Sequence, residues 1–279
     1  MIPVSVTLTG AHPFGNVTPC GQNGEVPGMQ RKFFRDDAVV LRVHKLGEAD
    51  HIVSMLGRNS GRMRAVAKGV RRTSSKFGAR LAPFGHIDVQ LIEGRNLHTV
   101  TQVVGIDLYG RNIVRDYQSY TAACAISETA ERLTPEEHEP SLRIFQLTLG
   151  ALRALSDAEH AATLVLDAYL LRTMGVSGWA PALTECALCG AAGEHRAFSV
   201  AAGGCVCRSC RPAGSAHPSP AAITLMRALA KGDWRSADAS ESSVRNEASG
   251  LISAHLQWHL EHTMRTLPYV SRSTRMEQR

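Results

Sequence analysis

Long apolar runs are missing from this chain of 279 residues: none reaches the roughly 18 uninterrupted positions that a membrane-spanning helix needs. No membrane association is therefore expected. The opening stretch, Met1 to Met29, lacks a basic start followed by an apolar core, so a secretory signal is not expected either, and a cytoplasmic location follows. The motifs of catalysis are absent as well. There is no nucleophile elbow, no phosphate-cradling glycine loop and no carboxylate cluster, and a protein that performs no chemical step is expected. Aromatic residues are scarce, at 5%, and acidic residues are missing altogether between Arg62 and Arg80.

What remains is a core-forming composition, 44% hydrophobic, on a chain long enough for two ordinary domains. The formal charge of +6 permits a polyanionic partner without requiring one, so the distribution of charge decides. Residues 1–30 are rich in Gly, Pro, Thr and Asn without a sustained period and read as a disordered leader, with Met29 an alternative start. Over residues 31–108 the texture becomes short β-type runs: Ala38 to Val43, Ile52 to Leu56, Met63 to Ala67, Ile87 to Ile92 and Leu97 to Ile106. Turn clusters such as Arg58-Asn59-Ser60-Gly61 separate them. Five short strands suggest a small barrel, with an OB-fold the commonest candidate and an SH3-like barrel also allowed by the spacing.

After Tyr109 the apolar period lengthens to that of a helix, and residues 109–279 read as a helical domain. Thr134-Pro135-Glu136-Glu137 and Ser156-Asp157-Ala158-Glu159 have the Ser/Thr-x-x-Glu form of a helix start. Ala161 to Met174 reads as a buried helix, Pro220 as a first-turn proline, and Glu241 to Arg265 as a last helix. The expected class is α+β: an N-terminal OB-fold β-barrel followed by an α-helical domain with an inserted four-cysteine zinc module at about 184–212.

That module rests on cysteine spacing. Five of the seven cysteines fall between Cys186 and Cys210, whereas Cys20 and Cys124 are isolated, and Cys124 reads as a small buried hydrophobe. Cys186-x2-Cys189, seventeen residues, then Cys207-x2-Cys210 is the pattern of one tetrahedral Zn2+ held by two tight turns. Four protein ligands leave no open position, so a structural role is expected. Cys205 competes with Cys207 for the third place, and Cys207 is preferred because it restores the two-residue spacing. His195 and His217 flank the cluster as alternative ligands. A second candidate metal set, His255, His259 and His262, has helical spacing but lacks the adjacent glutamate of a metal-dependent hydrolase and reads as an ordinary helix face.

The candidate nucleic-acid surface is the run Arg62, Arg64, Lys68, Arg71, Arg72, Lys76 and Arg80, which Arg42 and Lys45 extend across the barrel with His44. Such a field complements phosphate, and binding through it weakens as salt rises. The competing reading is a solvated face that keeps the chain soluble. Phe77 and Phe84 are the only aromatics close by, so little base preference is expected.

The wording of the sequence is specific at three places in the barrel region: Leu46-Gly47-Glu48-Ala49-Asp50, Ala67-Lys68-Gly69-Val70-Arg71-Arg72 and Ser75-Lys76-Phe77-Gly78-Ala79-Arg80-Leu81. These resemble the amino-terminal domain of the RecO family. His195-Arg196-Ala197-Phe198-Ser199 leading into Gly203-Gly204 and the second cysteine pair resembles its zinc-bearing forms. The resemblance runs from about Lys32 to Arg265. It implies a DNA repair and recombination mediator that binds single- and double-stranded DNA and anneals complementary strands. It also implies work with RecR to load RecA onto strands coated by single-strand-binding protein (SSB), whose C-terminal tail would dock on an apolar groove with a basic rim; Arg132 and Arg143 are candidate rim charges. A nucleoid-associated location follows from that role. The departures are the leader and Cys205, where an apolar residue is usual in the family.

Overall fold

The computed structural model describes residues 32–71, 75, 77–135, 137–260 and 263–270. The leader expected over 1–30, and the calls on Cys20, Arg72, Lys76 and His262, lie outside the described residues. Five strands open the described chain: β1 (Phe33–Leu46), β2 (Asp50–Gly57), β3 (Gly61–Ala67), β4 (Gly85–Ile92) and β5 (His98–Leu108). They close into a barrel in the order β1-β2-β3-β5-β4, with β3 and β5 parallel and the other pairs antiparallel. This is the OB-fold order, and it removes the SH3-like alternative.

Alternation along the strands sorts the side chains. Ala38, Val40, Val53, Met55, Met63, Ile87, Val89 and Leu91 fill the barrel interior. Val39, Leu41, Leu56 and Phe84 belong instead to the core of the helical part. On β1 simple alternation puts Val39 and Leu41 on the face that meets the helices, and a bulge at Leu41 then shifts the register so that Arg42 pairs with Ser54. The hairpin between β2 and β3 is fixed from below by Asp36. Its nearly buried carboxylate accepts the backbone N–H groups of Asn59 at 3.1 Å and Ser60 at 2.8 Å.

The helices follow: α1 (Gly110–Ile113), α2 (Tyr117–Leu133), α3 (Leu142–Asp157) and α4 (Ala162–Val176), then α5 (Pro220–Lys231), α6 (Trp234–Asp238) and α7 (Ser242–Leu260). Between α4 and α5 lies a two-stranded ribbon, β6 (Ala197–Ser199) and β7 (Gly204–Val206). Asp116 caps α2 through the Ser119 N–H at 2.7 Å, and Ser219 caps α5 just ahead of the first-turn Pro220. Helix α4 is apolar on every side, as a central helix must be, and buries Leu164, Leu166 and Leu170 completely or nearly so. Each such side chain contributes about 1.5–3 kcal/mol by leaving water.

Both expected capping boxes are corrected by the structure. Thr134 ends α2 instead of starting a helix, its hydroxyl donating to the Ala130 carbonyl at 2.8 Å, and the next helix waits until Leu142. Ser156 sits inside the last turn of α3, which stops where Ala158 turns left-handed at φ 53°. Thr134 bonds locally where the chain leaves a helix, and Ser156 accepts from the Asn112 side-chain amide at 3.3 Å, roles that the sequence pattern alone does not distinguish from helix entry.

The barrel is joined to the helices by more than the shared core. After α2 the chain runs back along β3, where the His138 N–H donates to the Arg62 carbonyl at 3.1 Å. Gly61, at φ 65°, permits this approach: a Cβ there would lie 2.1 Å from the Glu139 carbonyl oxygen. At the far end, Glu128 of α2 ties down the tail of the described chain. It accepts the backbone N–H groups of Arg265 at 3.0 Å and Thr266 at 2.9 Å, the Thr266 hydroxyl at 2.6 Å and the Arg132 guanidinium at 3.2 Å. Burial opposes ionisation of this carboxyl, yet the Thr266 hydroxyl, the two backbone N–H groups and Arg132 outweigh it and hold Glu128 below the usual glutamate range.

A carboxyl depressed in the folded state contributes stability that is complete above its unfolded pKa and fades as pH falls through its lowered folded value. Glu128→Ala is accordingly expected to lower unfolding free energy by about 3 kcal/mol at neutral pH, the cost of orphaned buried donors. Urea titrations at a series of pH values check this, with the gap to the parent chain closing as the solution becomes acidic.

Candidate nucleic-acid interface and metal centre

The cationic run does not stay together as one surface. Lys45, Arg64, Lys68, Arg71 and Arg80 are exposed, while Arg42 and Arg62 are half-buried. Arg42 reaches across the barrel wall to Glu131 of α2 at 3.0 Å, and Arg62 donates to the Pro135 carbonyl. Burial raises the Glu131 carboxyl above its usual range although Arg42, Arg62 and His44 pull it down, so these cations serve a partly buried acid at the barrel–helix seam. The sequence could not show that partner, because Glu131 lies about ninety residues from Arg42 along the chain.

The remaining cations are presented by a braced loop. Gly47 turns left-handed at φ 57° in the β1–β2 connection, and Asp50 at its end accepts the Gly69 N–H at 2.7 Å. Arg71 donates its backbone N–H to the Ala49 carbonyl at 3.0 Å and its guanidinium to the Glu48 carbonyl at 2.9 Å. The segment that follows β3 is thus laced to the β1–β2 turn, which brings Lys45, Lys68 and Arg71 to one end of the barrel. The field is felt by His51: partial burial first, then Arg71 and Lys45, lower its pKa. Among the described residues no carboxylate forms an ion pair with Lys45, Arg64 or Lys68. Asp50 closes the Leu46-Gly47-Glu48-Ala49-Asp50 stretch that resembles the family, but its role as the brace is legible only once the two turns are seen side by side.

Phe77 and Phe84 do not supply stacking platforms. Both are nearly buried, Phe77 in the barrel interior and Phe84 in the helical core, edge-on to Tyr120 at 6.0 Å. What the surface offers is charge.

Sulfur gathers in the ribbon. The Sγ atoms of Cys186, Cys189, Cys207 and Cys210 all lie within 4.8 Å of one another, and those of Cys189 and Cys207 are 3.9 Å apart. Four sulfurs at about 2.3 Å from one tetrahedral ion stand about 3.8 Å from each other, so the quartet fits a single metal ion held by thiolates. The backbone prepares it. The Cys207 N–H donates to Cys186 Sγ at 3.3 Å, and this contact, with N–H groups at Cys189 and Leu188, draws the Cys186 thiol down to about 6. Cys210, crowded by Cys207 and Cys189, is pushed up to about 12. Four close sulfurs do not all ionise by themselves, whereas a central dication favours all four thiolates.

Cys205 takes no part. It is 1% exposed, it packs in the helical core, and burial raises its thiol. Strand β7 ends at Val206, so Cys205 points inward from the strand while Cys207 falls in the turn beyond it and joins the quartet. His195 instead meets the Ala191 carbonyl at 2.8 Å, and His217 lies against Arg211 at 3.5 Å. The ribbon is seated on the helices by Cys205 and by Phe198, which is edge-on to His255. Gly204 allows the close seat: a Cβ there would lie 2.4 Å from the Ala182 nitrogen. His255 bonds the Trp179 carbonyl at 2.9 Å and His259 stacks on the Trp179 ring, so these two histidines pack the helix and do not converge on an ion.

Among the described residues, no helix is long and apolar enough to cross a membrane. A closed OB barrel with a cationic end, joined to a helical unit that carries a tetracysteine ribbon, defines the class of protein. Residues 29–109 match the family described as Recombination protein O N terminal, and residues 114–268 match Recombination protein O C terminal. The chain belongs to the recombination protein O (RecO) family, which places its role in DNA repair and recombination, in contact with DNA and with other recombination proteins.

Metal analysis of purified variants checks the quartet. Cys186→Ser is expected to lose the bound ion and Cys205→Ser to keep it; full occupancy in Cys186→Ser would remove the assignment.

Proposed function

We propose that the chain is a recombination mediator that binds single- and double-stranded DNA through the cationic end of its barrel and anneals complementary strands. With RecR it helps to load RecA onto single strands coated by SSB. The observation that carries this reading is the braced group of Lys45, Lys68 and Arg71, with Arg64 beside it on β3, exposed and without carboxylate partners among the described residues. Cations held on paired turns meet a phosphate backbone with little ordering cost, and neutralising both strands reduces the repulsion that opposes annealing. No bond need be made or broken, and no chemical step is part of the proposal. The buried aromatics favour recognition of backbone over bases. A cytoplasmic, nucleoid-associated location accompanies this role.

The quartet is proposed to hold one structural Zn2+. Its four protein sulfurs complete the coordination, so the metal supplies stability to the ribbon and no reactive position.

A docking place for the SSB tail is supported by a groove of about 610 Å³ between α3 and α4. Leu147, Leu171 and Val176 supply its apolar wall, and Arg143 and Arg172 its cationic rim. Arg143 lines this groove, which supports reading it as a rim charge, whereas Arg132 is engaged by Glu128. An acidic peptide with apolar anchors complements that lining. RecR contact is supported by family membership alone.

A low-salt gel-shift titration tests the central reading. The parent chain is expected to shift single-stranded DNA, and Lys68→Ala with Arg71→Ala to weaken binding about tenfold and make the log–log salt dependence shallower by about 2. An absent shift would leave a ribbon that serves protein contacts without direct DNA binding, and an unchanged double variant of native circular dichroism would remove the barrel end as the binding surface. For the groove, Arg143→Ala is expected to weaken an SSB-tail peptide several-fold in fluorescence anisotropy while DNA binding persists.

A further inference from the structure

A second cationic feature lies far from the barrel run in sequence, on the ribbon itself. A cleft of about 400 Å³ is lined by His195, Arg196, Arg208, Arg211 and His217, with Glu194 the one acid on its wall. Arg196 leads into β6, Arg208 sits inside the second cysteine turn, and Arg211 follows that turn directly. All three arginines are exposed. Among the described residues none of them forms an ion pair, and Arg211 Nη1 instead stands 3.5 Å from His217 Nε2. Three guanidinium groups gathered in a concave site with a single carboxylate, Glu194, and no ion pair among them suit phosphate oxygens, which accept their paired N–H donors. The placement also ties the cleft to the metal. Arg208 and Arg211 are aimed by the Cys207–Cys210 turn, so the geometry that the quartet imposes is the geometry of the cleft.

We propose that this ribbon cleft is a second anchor for the sugar–phosphate backbone of nucleic acid, separate from the barrel surface, so that one DNA strand or two strands can be held at two points on the same chain. The inference rests on the DNA-binding reading above. It differs in making the ribbon a contact surface whose shape depends on the bound metal. The competing account is local: a quartet of thiolates around a dication is a net anion, and the arginines offset it without touching DNA. The two accounts diverge in what removal of the arginines does. Offsetting charge acts on metal retention, whereas a phosphate anchor acts on DNA affinity and its salt slope.

The test uses the full chain loaded with zinc and a fluorescent single-stranded oligonucleotide, read by anisotropy across a salt series. The triple variant Arg196→Ala, Arg208→Ala, Arg211→Ala is expected to keep its zinc, to bind about tenfold more weakly near physiological salt and to lose about 2 from the log–log salt slope. Unchanged affinity and slope with zinc retained would overturn the proposal in favour of charge offset. Should the triple variant lose its zinc, Arg196→Glu, which lies outside both cysteine turns, is read in its place. A weakening of more than threefold supports the anchor and an unchanged affinity overturns it. Failure of the two readings is separable. If the parent chain binds no DNA, both fall; if it binds and only Lys68→Ala with Arg71→Ala weakens it, the ribbon anchor alone falls.

Discussion

The seam between the barrel wall and helix α2 sets most of what this chain can do. Val39, Leu41 and Leu56 point away from the barrel interior and bury themselves with the helices, so the two faces of β1 serve two cores. A shared core of this kind commits that wall of the barrel to structure. Arg42 and Arg62, which lie at its margin, turn toward Glu131 and the Pro135 carbonyl. Leaving Glu131 partly buried without those cations would cost more than their exposure gains.

The proposed DNA contact consequently falls to the barrel end where the β1–β2 turn and the segment after β3 meet. Charges there are held by backbone hydrogen bonds through Asp50, Glu48 and Ala49, and their side-chain ends stay in water. The ribbon follows the same division. Phe198 and Cys205 point into the helical core to seat it, the four remaining sulfurs of the segment face one another, and the arginines between and beside them face solvent. Quartet, seat and surface are three layers of one short segment, so the proposed ion would act mechanically: it would fix two turns whose positions determine what the outer side chains can reach.

Much of this was legible in the sequence because the relevant signals are local. Period-two runs located all five strands to within a few residues, and cysteine spacing chose Cys207 over Cys205 before any contact was known. The nearly all-apolar character of Ala161 to Met174, broken by Asp167 and Arg172, marked the central helix. What failed has a common cause. Thr134 and Ser156 carry the pattern of a helix entry but stand at helix exits, and only the backbone direction tells these apart. Arg42 and Arg62 belong to the basic surface by sequence but by space to the seam, Arg42 through its ion pair with Glu131 and Arg62 through the Pro135 carbonyl. Phe77 and Phe84, next to that run in the chain, are drawn inside by the two cores. The bracing roles of Asp36, Asp50 and Glu128 were silent in the sequence because a lone carboxylate gives no pattern, yet each residue ties together segments brought close by the fold.

The central claim is that DNA is met first by the braced cationic end of the barrel and that the barrel–helix seam stays closed. Hydrogen exchange of the full, zinc-loaded chain with and without a single-stranded oligonucleotide reads both parts at once. Slower exchange on DNA binding is expected in the β1–β2 turn and across residues 64–71, with the amides of α2 that face Val39 and Leu56 unchanged. Protection confined to the groove between α3 and α4, with the barrel turns unaffected, would contradict the account.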